Sequence, residues 1–384
     1  MIAMKRKHTV ILGAAAAVLV CAGGVGSGLA LTGSHGHPAA IQHATLTSSS
    51  CHGPAGAAYV ADPGYQAFSA VNTANCDIIQ TYNVDDLAVP GDPDDTNYTG
   101  SDPGIALSGS TLWFAVAATD NVAAIDTTKL DPSNYSPPET LVHVGFMPQA
   151  LAATPDGSQV CVVDSGPQTA STLWDIAIID TSSDTVTGHI HPIGDPTDVA
   201  FSPNGKDAYV TTSNGLYIYS VASHRQVGFI PGLGSPQSVT VAPNGSAVYV
   251  TETSASELAT ISTATNKVVR TTHVGQEPWQ AVVSSDSSTV YVANPDSDTI
   301  SVVSAATGHV ENNWVVTGAP DALGLTPDGT QLWVTGDDSG VMTVIKTATG
   351  HRVGSTNLGG NGANSGDGLC PTGIVLTSTP TPGS

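Results

Sequence analysis

Apolar and polar positions alternate along this chain in short runs divided by Gly, Pro, Asn, Asp and Ser, and one such run keeps returning. SPNGKDAYVTT starts at Ser202; TPDGSQVCVVD at Thr154, APNGSAVYVTE at Ala242, SSDSSTVYVAN at Ser284 and TPDGTQLWVTG at Thr326 repeat its form. Each predicts a tight reversal followed by a strand: Pro and Asn/Asp-Gly set the turn, Gly tolerating positive φ, and β-branched and aromatic residues continue as an extended segment. The strand aromatics Tyr209, Tyr249, Tyr291 and Trp333 stand 40, 42 and 42 residues apart, and Cys161 holds the same slot 48 residues before Tyr209. LSGSTLWFAVA adds Trp113 and GPAGAAYVAD adds Tyr59, which makes seven. A second series keeps step with the first: Pro103, Pro148, Pro196, Pro236, Pro278, Pro320 and Pro371 each open a short apolar run.

One unit can be read strand by strand. After Pro278, AVVSS is a buried inner strand, SDSS a turn, TVYVAN the second strand, TISVVSA the third, ATGHV a turn and NNWVVTG the fourth. Four strands per 40 to 50 residues predict an all-β, seven-bladed β-propeller with four-stranded antiparallel blades. A lone blade would leave both faces apolar, so blades must stack, and stacking in a ring removes exposed ends. The two series also predict the closure. Tyr59 has no Pro-led strand before it, whereas the strand after Pro371 has no second strand behind it. The two chain ends should therefore pair in one blade, the aromatic of each blade packing on the next.

The N-terminal layout predicts a chain that leaves the cytoplasm. Lys5-Arg6-Lys7 precedes the uncharged stretch Val10 to Leu31, the layout of an export signal or membrane anchor over residues 1–31. Gly28-Leu29-Ala30 offers a small-x-small cleavage site, and Val18-Leu19-Val20-Cys21 approaches a lipobox but carries Val before the Cys. Cleavage, lipidation and retention as an anchor stay open. A Ser/Thr/Gly/His-rich spacer follows over 32–50, then the propeller over 51–378 and a flexible tail over 379–384. Past the first seven residues, seven Lys/Arg face 32 Asp/Glu, a charge that repels nucleic acid and anionic lipid. Nucleic-acid partners are thus not expected, membrane contact is confined to the N-terminal segment, and a monomer is expected.

Without Cys21, four cysteines remain, Cys51, Cys76, Cys161 and Cys370, with no CxxC and no Cys/His pair at zinc spacing. Cys161 sits in the aromatic slot of a strand and reads as a buried apolar residue. Cys51 and Cys370 flank the expected seam and are the first choice for a disulfide, with Cys51–Cys76 inside one blade as the competitor.

DAYVTT, AVYVTE, TVYVAN and QLWVTG, with units such as ISVVSAATGHV and the VxG-x-P that follows, resemble the YVTN-type repeats of seven-bladed propellers from exported bacterial proteins. The resemblance covers about Ala57 to Thr377 and implies a fold and a location that is secreted or cell-surface associated. The wider class holds binding proteins, surface proteins and some lactonases and lyases, so the resemblance leaves activity open.

No GxSxG, HExxH, Walker loop or GxGxxG after a strand occurs, and the chemistry must be sought where blades converge. Residues following the marker prolines begin the inner strands at the channel mouth: Gln149, Thr197, Asp198, Gln237, Ser238, Trp279, Gln280, Asp321 and Thr372. Their amides, hydroxyls, carboxylates and indole suit a small polar ligand or a peptide. The expected role is a binding or interaction module without a recognisable catalytic site. A lactonase- or lyase-type enzyme using Asp198 and Asp321 is the alternative, and a structural cell-surface component the third. His143, His191 and His273 each stand five residues before a marker proline, but their loops differ, and surface histidines ending an outer strand are expected. His309 and His351 follow Ala-Thr-Gly turns and should face solvent. No cofactor is expected; calcium is the one candidate ion, at Asp92, Asp94 and Asp95 in an acidic insertion between Asp85 and Gly104.

Overall fold

Each repeat folds as one antiparallel sheet, and four of the seven first strands begin at a marker proline, Pro148, Pro196, Pro236 and Pro320. The structure is a computed structural model, and it describes residues 56–62, 67–84, 104–164, 174–336, 340–358 and 373–377. The N-terminal segment and spacer, Cys51, Cys370, Thr372, Asp92, Asp94, Asp95 and the tail lie outside the described residues.

From inner to outer strand, blade one is Gly373–Thr377, Ala57–Asp62, Ala67–Asn72 and Ile78–Asn83; blade two is Ile105–Ser108, Thr111–Val116, Asn121–Asp126 and Glu139–His143. Blade three is Pro148–Ala153, Gln159–Asp164, Asp175–Asp180 and Thr185–Ile190; blade four is Pro196–Phe201, Asp207–Thr212, Gly215–Ser220 and Arg225–Pro231. Blade five is Pro236–Val241, Ala247–Glu252, Glu257–Ser262 and Lys267–His273; blade six is Ala281–Val283, Thr289–Asn294, Thr299–Ser304 and Val310–Val315. Blade seven is Pro320–Leu325, Gln331–Gly336, Val341–Lys346 and His351–Asn357. The seam is the one expected from the two series: Tyr59 pairs with Val375 and Val60 with Ile374. Neighbouring inner strands touch all the way round, including the last against the C-terminal strand and that strand against blade two, so the seven sheets form a ring.

Seven apolar clusters sit between the seven pairs of adjacent blades, and alternation along the second strand decides which side a residue serves. In DAYVTT, Ala208 and Val210 pack with blade three, while Tyr209 packs with Val239, Val248 and Val250 of blade five. The same direction holds for every marker residue. Tyr59 joins blade two, Trp113 blade three, Cys161 blade four, Tyr249 blade six, Tyr291 blade seven, and Trp333 returns to blade one. Cys161 is a free thiol, 4% exposed, and burial pushes its pKa up to about 12, in keeping with an apolar role. Cys76 is disulfide-bonded.

The repeated turn is held by its own side chains. In SPNGKD the Ser202 hydroxyl donates to Asn204 Oδ1 at 2.8 Å and accepts the Asp207 amide at 2.9 Å, and the Lys206 amide donates to Asn204 Oδ1 at 3.0 Å. Gly205, at φ 67°, closes the reversal with its amide on the Ser202 carbonyl. Thr154 with Asp156, and Thr326 with Asp328, repeat the arrangement. The threonine that follows YV has its own duty. Inner strands shift register just after their prolines, at Pro196/Asp198, Pro236/Val239 and Pro320/Leu323. The hydroxyl of Thr251 accepts the Ser238 amide at 3.0 Å, and that of Thr335 accepts the Ala322 amide at 3.2 Å, satisfying donors that the bulge takes out of the ladder.

Candidate functional site

Strand direction divides the ring into two ends. Inner strands start, second strands finish, third strands start and outer strands finish at what we term the upper end; the SPNG-type turns and third-to-fourth turns lie at the lower end. The described mouth residues expected from sequence, all but Thr372, belong to the upper end.

Several of them tie one blade to the next. Asp198 takes the amide of Val239, in blade five, on Oδ2 at 2.9 Å and that of Val199 on Oδ1 at 2.7 Å. Gln280 Oε1 takes the Leu323 amide of blade seven at 2.5 Å. Both stand two residues after a marker proline, and both acceptors serve the residue three after the next proline. Asp198 keeps part of its surface but is surrounded by protein. This burial pushes its carboxyl up to about 6, opposed by hydrogen bonds from Val239, Ser238 and Val199. Thr197 Oγ1 lies 2.9 Å from Thr211 Oγ1 and 3.2 Å from the Pro236 carbonyl of blade five. Ser238 and Asp321 are buried, and Gln149 and Gln237 are half-buried. The Gln149 carbonyl accepts the Gly104 amide, and the half-buried Trp279 uses its backbone on Thr251 and Ala293. The geometry thus turns much of this polar ring into inter-blade hydrogen bonds.

Acidic side chains also hold the loops that lead into the inner strands. Met147, Ser235, Glu277 and Ala319, each just before a marker proline, adopt φ between 53° and 58°. Such left-handed backbone costs roughly 1–2 kcal/mol per non-Gly residue. Asp120 Oδ1 accepts the Met147 amide at 3.0 Å, and Asp298 Oδ1 accepts both the Gly318 and Ala319 amides at 3.0 Å. Glu252 accepts the Gly234 amide in the corresponding loop of blade five.

One carboxyl has no such occupation. Asp164 closes the second strand of blade three, 2% exposed, and neither oxygen has a hydrogen-bond partner. Its neighbour across the ladder is Asp175, the first residue of the third strand. Burial first, then the charge of Asp175 and, further off, that of Asp120, raise the Asp164 pKa to about 8; the Gly145 amide opposes this but does not reach hydrogen-bond geometry. Gly145 is required here, since a Cβ on it would lie 2.4 Å from Asp164 Oδ2. Asp175 Oδ2 meets His189 Nδ1 at 2.6 Å, and Oδ1 lies 3.3 Å from His191 Nδ1; the two imidazoles stack with centroids 6.3 Å apart. Sequence reasoning named only His191 of this group, as a surface histidine, and passed over Asp164, Asp175 and His189. The only signals were the HIH triplet and the lengthened spacing after Cys161.

His143, His191 and His273 are exposed at or just past the ends of outer strands, and His309 and His351 face solvent. Among the described residues no group of three or more His, Cys, Asp or Glu is arranged to hold a metal ion. A crevice of about 340 Å³ lies beside His273, lined also by Val274, Gly275, Ser297, Thr299, Val310 and Asn313, between blades five and six.

Neither a family model nor a curated protein sequence matches the chain. Its shape does have counterparts. A functionally unknown protein from Desulfotomaculum acetoxidans DSM 771 superposes with a TM-score of 0.66 at 17% identity, over 83% of this chain and 98% of that one. The Kuenenia stuttgartiensis hydrazine synthase superposes with a TM-score of 0.52 at 20% identity, over 63% and 76%. Together with the closed ring of four-stranded sheets, these likenesses define the class as a seven-bladed β-propeller and extend no further than the fold.

Proposed function

We propose that this protein is an exported, non-enzymatic propeller of the YVTN-repeat kind that binds its partner on the upper end of the ring. The observation that carries the choice is the engagement of Asp198 and Gln280. Two of the polar groups an enzyme could use at the mouth, the Asp198 carboxylate and the Gln280 amide oxygen, are each spent on an amide of the following blade. Removing such an acceptor leaves a buried amide unpaired, at about 1–3 kcal/mol, so these residues answer to ring stability. Kinship with YVTN-type repeats is supported by the uniform direction of the seven marker side chains, and export by the basic and apolar N-terminal layout.

A thermal-shift screen of the fragment from residue 51 with sugars, peptides and divalent ions tests the binding role, and a positive shift at micromolar to millimolar ligand is expected. A panel of lactones and polysaccharide-lyase substrates tests the alternative. Turnover by the wild type that vanishes in Asp321→Asn without a change in melting temperature would replace this reading with an enzyme. Fractionation of cells carrying the full chain should find it outside the cytoplasm.

A further inference from the structure

The seven Lys/Arg of the propeller share one end of the ring. Lys206 sits in a first-to-second turn, and Lys129, Arg225, Lys267, Lys346 and Arg352 sit at third-to-fourth turns. Arg270, midway along its outer strand, points the same way: its guanidinium donates to the Ala305 and Ala306 carbonyls of a lower turn of blade six. The segments after residue 50 that lie outside the described residues contain no Lys or Arg. Both ends carry acidic side chains, but the upper end, with Asp120, Asp175, Asp195, Glu277 and Asp296, has no Lys or Arg among its described residues. A field of one sign over one face steers and holds a partner of the other sign.

The charge alone does not make a site; Asp164 supplies the second observation. A buried carboxyl with two unpaired oxygens is rare and calls for a missing partner. It faces Asp175, whose oxygens are only partly engaged by His189 and His191, and Asp120 lies close enough to add its charge. What this arrangement lacks is N–H donors with positive charge, which an ammonium supplies three at a time and a guanidinium five.

We infer that the upper end binds a Lys/Arg-bearing polypeptide segment, with one cationic side chain anchored between Asp164 and Asp175 of blade three. The inference rests on the binding role proposed above and names its partner class. Alkylammonium chemistry is shared with free polyamines, so both are tested.

The fragment from residue 51 is titrated calorimetrically at low salt with three probes: a capped lysine-rich 12-residue peptide, the same peptide with every lysine acetylated, and spermidine. The expected result is binding of the lysine peptide that weakens steeply with salt, no binding of the acetylated peptide, and weaker binding of spermidine. Asp164→Asn and Asp175→Asn should each weaken the lysine peptide tenfold or more. The lower-end double variant Asp184→Asn, Asp207→Asn should bind like wild type. Equal binding by the upper-end and lower-end variants would mean diffuse attraction to an acidic protein and overturn the site. Spermidine binding tighter than the peptide would move the assignment to a small polyamine. Failure of all three probes beside a positive thermal shift with a neutral sugar would overturn the cationic partner and leave the binding role standing.

Discussion

Replacing Asp164 by Asn should stabilise the protein, and the gain should depend on pH. The carboxyl ionises at an ordinary 3.8 in the unfolded chain and at about 8 in the folded one. A group whose folded pKa is raised leaves stability intact below its unfolded pKa and withdraws it as pH climbs toward the folded value. Below about pH 4 both states hold the proton and ionisation of Asp164 costs no stability. Between about pH 4 and 8 only the folded state holds it, and each unit of pH withdraws about 1.36 kcal/mol. At pH 7 the loss reaches about 4 kcal/mol. Asn has the shape of the neutral acid and no proton to lose, so it removes this loss. Urea unfolding followed by tryptophan fluorescence at pH 4, 5.5, 7 and 8 gives the difference between variant and wild type directly. Asp198, pushed up to about 6, also withdraws stability over the lower part of this window, but equally in both proteins, and cancels in the difference. The gain should be near zero at pH 4 and grow steadily to pH 8. An Asn variant less stable than wild type at pH 7, or a difference flat across the range, would refute the account of a buried, partnerless carboxyl. A residue that costs stability where it stands is the mark of a functional site.

Other positions give independent checks. Trp333→Ala removes a fully buried side chain from the cluster joining blades seven and one and should cost about 3–5 kcal/mol, read by urea unfolding. Ala319→Gly should gain roughly 1 kcal/mol in the same assay by relieving a left-handed residue that has no side-chain role. Gly350→Ala should be strongly destabilising, because at φ 69° its new Cβ would stand 2.2 Å from Trp314 Nε1; a shift in tryptophan emission should accompany the loss. Asp198→Ala strands the Val239 amide and should cost about 1–3 kcal/mol, with Asp198→Asn recovering part of it by melting temperature. Cys161 should resist thiol reagents until the protein unfolds, as read by mass spectrometry, because burial holds its thiol near 12.

The sequence alone determined the number of blades, their four strands, the direction in which Tyr209 and its equivalents pack, and the pairing of Tyr59's strand with the one after Pro371. All of these follow from local periodicity: two-residue alternation sets the buried side, Pro and Gly set the reversals, and repetition sets the ring. Tertiary structure alone decided what the polar residues do. Asp198 and Gln280 look free in sequence because the amides they accept belong to residues 41 and 43 positions ahead, brought close only when blades stack. Asp164 and Asp175 look like ordinary strand-end carboxylates, and only ladder register and the loop at Gly145 make one of them buried and unpaired. Likewise, seven cations scattered through the chain become one-sided once strand direction assigns each turn to an end. Short-range pattern is written in the order of residues, whereas hydrogen-bond partners and electric field are set by distances across the ring, which that order does not contain.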